Sequence, residues 1–193
     1  MRFRLTLPAT VLPSSVGGTP ARGGSSGPYN LLQLGAHPLQ TTVPKFTALI
    51  HTTSVQGLAQ TLRSARIASE TLVVHPSDPA VARLCLRYGV RETKDVPGVT
   101  AGAYAMDAFH NWLLLLHPGE ELSADALRAL ERWRRQRSDN SAGYLLRREG
   151  DSNPQLRLVN RAKIHWGGEW PTAPADAEVL PGLIMLGAKF RAA

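Results

Sequence analysis

The chain has 193 residues, 43% of them hydrophobic, and a formal net charge of +7, which suits one domain with a real core rather than two. Its single cysteine, Cys85, excludes an internal disulfide framework and any metal cluster that needs two thiolates. No apolar run reaches the roughly 18 residues that a membrane-spanning helix needs. The positive charge favours anionic partners such as nucleotides, phosphates or acidic head groups.

The first segment, residues 1–44, is rich in Gly, Pro, Ser and Thr, and it contains arginine but no acidic residue. Such a composition buries too little apolar surface to offset the entropy of ordering. We therefore predict a disordered tail over 1–44 and a single domain over 45–193. A basic tail that binds polyanions is the functional alternative for this segment.

From residue 45 the hydrophobic patterns alternate between short apolar runs and helical periodicity. In chain order they predict a strand in "KFTALIHTT", a helix in "SVQGLAQTLRSA", a strand in "ETLVVHPSD", a helix in "DPAVARLCLRYG", a short strand or loop in "VRETKDV", a helix in "AGAYAMDAFH", a strand in "NWLLLLH" and a helix in "SADALRALERWRRQR". After residue 140, short strands are predicted in "SAGYLLRRE", "PQLRLVN" and "AKIHWGG", with one more near the end of the chain.

Local signals set the helix ends. Ser54, Asp78 and Ser123 are predicted N-caps, because their side-chain oxygens can accept from the first free amides of a helix. Pro79 suits the first helical position, and Gly89 suits the end of the same helix.

Strands that alternate with helices imply right-handed βαβ crossovers and a parallel sheet. The predicted fold class is therefore α/β: a mostly parallel central sheet with flanking helices and a short β extension.

Three predicted strands end in histidine, at His51, His75 and His117. Ligands of open α/β sheets bind at the carboxyl ends of the strands. Three imidazoles there could bind zinc together with a water molecule. The alternative, which we favour, is that these histidines are partly solvated polar residues at strand ends.

Other polar residues have structural explanations beside functional ones. Glu120 and Glu121 are predicted to diverge in a turn, one towards the crevice and one towards the N-terminus of the next helix. The arginines of 128–137 could grip phosphates, but Leu127, Leu130 and Trp133 predict a buried stripe with the arginines as its solvated face. Cys85 is predicted to be a small buried hydrophobe.

The order of motifs from Phe46 to about Gly168 resembles the family-2 glycosyltransferases of the GT-A fold. Four stretches carry this resemblance: "FTALIHTTSVQGLAQTLRSA", "SETLVVHPSDPAVARLCLRYGVR", "NWLLLLHPGEELSADALRALERW" and "PQLRLVNRAKIHWGG". The third is similar to the stretch that holds the Asp-x-Asp metal motif of the family, and the fourth to its later Arg-rich segment.

The sequence departs from the family pattern at its polar positions. Ser54-Val55 stand where the family usually has Asn-Glu, and His75 stands where an Asp contacts the nucleotide base. His117-Pro118-Gly119-Glu120 replaces Asp-Ala-Asp-Glu, so the Glu alone is kept. Glu169-Trp170-Pro171 replaces the closing His-Glu pair.

The resemblance implies a nucleotide-sugar donor and a glycan or lipid-linked acceptor. It places His51, His75 and Asp78 near the nucleotide, His117 and Glu120 near a divalent cation, and Glu169 as the base. The cation would neutralise the leaving diphosphate; Mn²⁺ or Mg²⁺ is expected, and zinc is not.

Two functions are therefore open. One is a divergent glycosyltransferase, cytoplasmic and in peripheral contact with the inner face of a membrane; the other is a catalytically inactive homologue that serves as a binding or assembly module. A polyanion-binding protein is a third reading, and no specific nucleic-acid partner is predicted.

Overall fold

The computed structural model describes residues 43–135, 141–167 and 170–187, which belong to one compact unit, Thr41–Ala193. The predicted tail lies outside these residues except for Val43 and Pro44. The described helices and strands are β1 (Phe46–His51), α1 (Leu58–Ser64), β2 (Glu70–His75), α2 (Pro79–Tyr88), β3 (Arg91–Lys94), α3 (Ala101–Met106), β4 (Trp112–Leu116), β5 (Glu120–Leu122), α4 (Ala124–Arg135), β6 (Gly143–Arg148), β7 (Gln155–Asn160) and β8 (Glu178–Leu186).

The described strands form one sheet in the order β3-β2-β1-β4-β7-β6-β8-β5. The first four are parallel to one another. β7 runs antiparallel to β4, and β6 is antiparallel to β7 and parallel to β8. The predicted α/β class, with a parallel half, flanking helices and a β extension, is confirmed.

The strand that the sequence marks as apolar throughout, β4, is buried on both faces. Leu114 and Leu116 pack in the cluster that contains Leu130 and Trp133 of α4, and Leu113 and Leu115 pack in a second cluster with Tyr104 of α3. Helices on both faces of a parallel sheet produce this double burial.

The predicted ends of α2 are confirmed. The Asp78 carboxylate accepts from the Ala80 amide at 2.7 Å, Pro79 occupies the first turn, and Gly89 ends the helix with a φ of 64°. Each of these features depends on neighbouring residues alone, which is why the sequence predicts them well.

The predicted cap of α1 is wrong. That helix begins at Leu58 after Gly57, whose φ is 73° and which has no side chain to cap with. Ser54 lies three residues before this cap position, and its hydroxyl accepts from the Gln56 amide at 3.4 Å. Ser123, by contrast, accepts from the Ala126 amide at 3.2 Å in α4, as predicted.

Two segments differ from the prediction. Glu120 and Glu121 lie in the short strand β5, which pairs with β8, rather than in a turn. The "AKIHWGG" segment is not a regular strand, because the chain turns after β7 and the amides of Lys163 and Ile164 both donate to the Asn160 carbonyl. A single bridge there joins Trp166 to Pro171.

The predicted buried stripe of α4 is confirmed for Leu130 and Trp133, which are 0% and 2% exposed, whereas Leu127 is only partly buried. Cys85 is also buried, and burial raises the pKa of its thiol to about 11. A thiol with so high a pKa is unreactive near neutral pH.

Gly182 of β8 lies against the start of α4, and we predict that this contact tolerates no side chain. A Cβ there would lie 2.2 Å from the Ala126 backbone nitrogen, whereas a Cβ at Gly150 would meet nothing within 4 Å; both residues have positive φ. Gly150→Ala should cost about 1–3 kcal/mol of unfolding free energy through backbone strain, and Gly182→Ala about 1–3 kcal/mol more through overpacking. Urea denaturation of both variants checks this, and equal losses would contradict the contact.

Candidate functional site

The carboxyl edge of the parallel strands carries the larger of two neighbouring cavities. β4 reaches this edge at Leu116, and β7 starts there because it runs antiparallel, with Leu158 opposite Leu114. The cavity has a volume of about 620 Å³ and is lined by His117, Arg148, Gln155, Leu156, Arg157, Trp170, Pro171 and Ala173. It therefore lies where open α/β sheets bind ligands.

The turn that follows β4 is fixed by hydrogen bonds from two sides. The Gly119 amide donates to the Gly57 carbonyl at 3.2 Å, and the Gly119 carbonyl accepts from the Gly187 amide at 2.9 Å. The Thr61 hydroxyl donates to the His117 carbonyl at 3.1 Å. Gly119 has a φ of 87°, a conformation that glycine adopts without strain.

Beneath the cavity lies a buried ion pair between Glu120 and Arg157, whose side chains are 1% and 2% exposed. Arg157 donates through Nη2 to Oε1 at 2.8 Å and through Nη1 to Oε2 at 3.0 Å. The same carboxylate accepts from the His117 amide at 2.7 Å. Arg157 also donates to the Leu115 carbonyl and to Gln155 Oε1. The pair thus joins β5, β7 and the end of β4.

A second guanidinium, that of Arg148, shares the Glu120 carboxylate. Its Nε lies 3.2 Å from Glu120 Oε1 without the alignment of a hydrogen bond, and its Nη1 lies 3.8 Å from Asp151. The Arg148 side chain is 33% exposed. The buried Nε atoms of both Arg148 and Arg157 lack an acceptor in the described residues.

The His117 ring packs edge-on against Trp170, with 4.6 Å between the ring centroids. Burial lowers the pKa of His117 below its usual value of 6.5, and the charges of Arg157, Arg148 and His51 lower it further against the opposing effect of Glu120. His117 is therefore neutral at pH 7. The Trp170 ring also lies 5.5 Å from the Arg157 guanidinium.

A smaller cavity of about 240 Å³ also reaches this turn, at Pro118, and is lined by His51, Thr52, Thr53, Ser54, Gln56 and Pro118. His51 Nε2 lies 2.9 Å from Asp95 Oδ2, and the Tyr104 hydroxyl donates to Asp95 Oδ1 at 3.0 Å. The hydrogen bond from His51 is the main cause that lowers the pKa of Asp95. His51 thus lines a cavity, and its contact with a nucleotide stays a prediction.

The other predicted nucleotide contacts make internal hydrogen bonds. Both ring nitrogens of His75 are occupied, Nε2 by Glu92 at 3.0 Å and Nδ1 by the Asp78 amide at 3.1 Å. The Asp78 carboxylate caps α2. The predicted base, Glu169, lies outside the described residues.

The side chains around Glu120 do not fit a divalent cation. Arg157 already neutralises the carboxylate, and both arginines would repel the ion. Within residues 43–135, 141–167 and 170–187 there is no group of three or more His, Cys, Asp or Glu side chains placed to hold a metal. The metal predicted at His117 and Glu120 stays a prediction, and the contacts give it no support.

Sequence reasoning missed the residues that give the cavity its charge, Arg148 and Arg157. The signal for Arg157 is a lone charge between two leucines in "QLRLVN", a pattern that indicates a buried ion pair because an unpaired charge does not stay in a core. Its partner, Glu120, lies 37 residues away, so the sequence does not identify the pair.

Comparison with known proteins gives a distant structural similarity. No family model and no curated protein sequence matches the chain. The crystal structure of S. aureus TarS residues 1–349 matches at a TM-score of 0.40 and 14% identity, covering 57% of this chain and 38% of that one. The structure of S. aureus TarS matches at a TM-score of 0.37 and 14% identity, covering 57% and 23%. The protein spans less than two-fifths of either, and TM-scores of this size assign no activity.

We predict that the Glu120–Arg157 pair is needed for stability. Glu120→Gln leaves Arg157 buried without a counter-charge and should lower the free energy of unfolding by about 3–5 kcal/mol. The adjacent Glu121→Gln, whose side chain makes no ion pair among the described residues, should change it by less than about 0.5 kcal/mol. Urea denaturation measures both, and similar values for the two variants would contradict the buried pair.

We also predict that His117 titrates below pH 6.5 in the folded protein, because its charged form is desolvated. The unfolded chain binds this proton more tightly, so acidification through pH 6.5 should lower the free energy of unfolding through His117. An NMR titration of the imidazole signals, with His117→Gln to identify the signal, measures the pKa. A value at or above 6.5 would contradict the burial.

Proposed function

We propose that the protein is a divergent glycosyltransferase-like protein whose larger cavity binds the phosphate groups of a nucleotide-sugar donor. The observation that carries this proposal is that both Arg148 and Arg157 line the cavity of about 620 Å³ at the carboxyl edge of the sheet. Guanidinium groups match the geometry and charge of phosphate oxygens. The smaller cavity, lined by His51, is the predicted place of the nucleoside.

Sugar transfer from such a donor places charge where the arginines lie. The bond from the anomeric carbon to the diphosphate oxygen breaks, and the anomeric carbon bonds to the oxygen of an acceptor hydroxyl. The leaving nucleoside diphosphate gains negative charge, which fixed donors in a partly dry site stabilise. The hydroxyl proton passes to a base, for which Glu169 stays the predicted residue.

The acceptor in this proposal is a glycan or a lipid-linked sugar. A lipid-linked acceptor would bring the protein into peripheral contact with the inner face of a membrane. Among the described residues, no helix combines the length and apolarity required to cross a bilayer.

The second candidate function is an inactive homologue that binds a nucleotide sugar or a glycan without turnover. The use of Glu120, His75 and Asp78 in internal ion pairs and hydrogen bonds favours it. In that case the cavity keeps its affinity for the ligand and no bond is broken.

A thermal-shift panel tests the binding of a nucleotide or nucleotide sugar, which both candidate functions require. UDP, GDP, CMP and their sugars are each added with Mn²⁺, Mg²⁺ or EDTA, and a ligand at one hundred times its Kd adds about 2.7 kcal/mol to stability. We expect one nucleotide series to raise the Tm. Release of free nucleotide in the presence of glycan acceptors then separates a transferase from a binding module. A panel without any shift would contradict both.

A further inference from the structure

Among the described residues, the charged side chains that line the larger cavity are all positive. They belong to two arginines, Arg148 and Arg157. No carboxylate lines it among the described residues. A solute in this cavity therefore meets guanidinium groups first.

The acidic residues near the cavity do not make the charge of its lining negative. The Glu120 carboxylate is 1% exposed and is taken up by the bidentate bonds from Arg157 and by the His117 amide. Asp151 lies 3.8 Å from Arg148 at 30% side-chain exposure, where solvent screens the pair, and it also accepts from Gln155 at 2.6 Å. Two guanidiniums thus share one buried carboxylate at the base of the cavity.

The two arginines differ in what they can offer to a ligand. All four Nη hydrogens of Arg157 have acceptors in the protein: Leu115, Glu120 at both oxygens, and Gln155. Arg157 is therefore held in place with its charge paired to Glu120, and none of its Nη hydrogens is left for a ligand. Arg148 has an ion pair at 3.2 Å that is not aligned as a hydrogen bond, and a third of its side chain is exposed. Arg148 therefore has donors that are not committed to a hydrogen bond among the described residues.

We propose that this cavity is a metal-independent binding site for a diphosphate group, in which Arg148 donates to the phosphate oxygens and the Glu120–Arg157 ion pair forms the base of the cavity. The proposal rests on the proposed function for the identity of the natural ligand, and it assigns to two arginines the charge neutralisation that a divalent cation supplies elsewhere. A divalent cation in this cavity would be repelled by the guanidinium groups. A diphosphate, in contrast, supplies oxygen acceptors for the donors of Arg148.

Trp170 gives the cavity its own reporter. Its ring lines the cavity, is 39% exposed and contacts both His117 and Arg157. A diphosphate that binds between these groups changes the surroundings of the indole, so its fluorescence should follow occupancy. The other described tryptophans do not line this cavity, and Trp170→Phe removes the reporter while it leaves both arginines in place.

The test is a titration of the whole chain with inorganic pyrophosphate, followed by tryptophan fluorescence and by Tm. It is run in EDTA and again with Mn²⁺. We expect saturable binding in EDTA of equal or greater strength than with Mn²⁺, and no stabilisation by Mn²⁺ alone. Arg148→Gln should weaken binding by about tenfold or more, as the loss of a charge-assisted hydrogen bond implies. The matched control is Arg147→Gln, because Arg147 is the exposed neighbour in the same strand and does not line the cavity.

Each result decides the proposal. Binding that requires Mn²⁺, or that Arg148→Gln leaves unchanged, would overturn it, as would a failure of pyrophosphate to bind at all. A parallel titration with the nucleotide sugars separates the two proposals of function. Pyrophosphate that binds in EDTA without any nucleotide sugar binding would uphold the site and refute the proposed function. Nucleotide sugars that bind in Mn²⁺ but not in EDTA would uphold the proposed function and refute the metal-independent site.

Discussion

A single buried carboxylate, that of Glu120, holds the carboxyl edge of this sheet together. It joins β5 to β7 through Arg157, approaches β6 through Arg148, and accepts the backbone amide of His117 at the end of β4. Charges removed from water persist in a fold when each is paired and hydrogen-bonded. Both arginines that line the cavity approach this one group, so it sets where their charges lie.

The parts of the fold that the sequence predicts are those decided by near neighbours. The cap at Asp78, the end at Gly89 and the double burial of β4 depend on adjacent residues or on an unbroken apolar run. The cap of α1 escaped prediction because a glycine with positive φ, Gly57, replaced a side-chain cap. β5 escaped it because three residues have no strand signal of their own and depend on β8, about sixty residues later.

The same division applies to the candidate site. The turn after β4 could be located from the sequence, because an apolar strand that ends in polar residues marks a sheet edge, and a cavity lies there. The chemistry of that turn could not be derived, since it depends on which side chains arrive from β6 and β7. Glu120 appears as an oxygen ligand when it is considered alone; in the structure it is the counter-ion of Arg157.

The place of β8 in the sheet has a consequence for how the protein folds. β5 pairs with no described strand except β8. The strand that contains Glu120 can therefore join the sheet only after β8 (Glu178–Leu186) has paired with β6. The parallel half, β1 to β4, contains the nearer contacts and can collapse first. Pairings of long sequence separation form slowly, because their loop entropy is lost before their contacts form. We therefore expect the cavity to form late in folding, after the parallel half of the sheet.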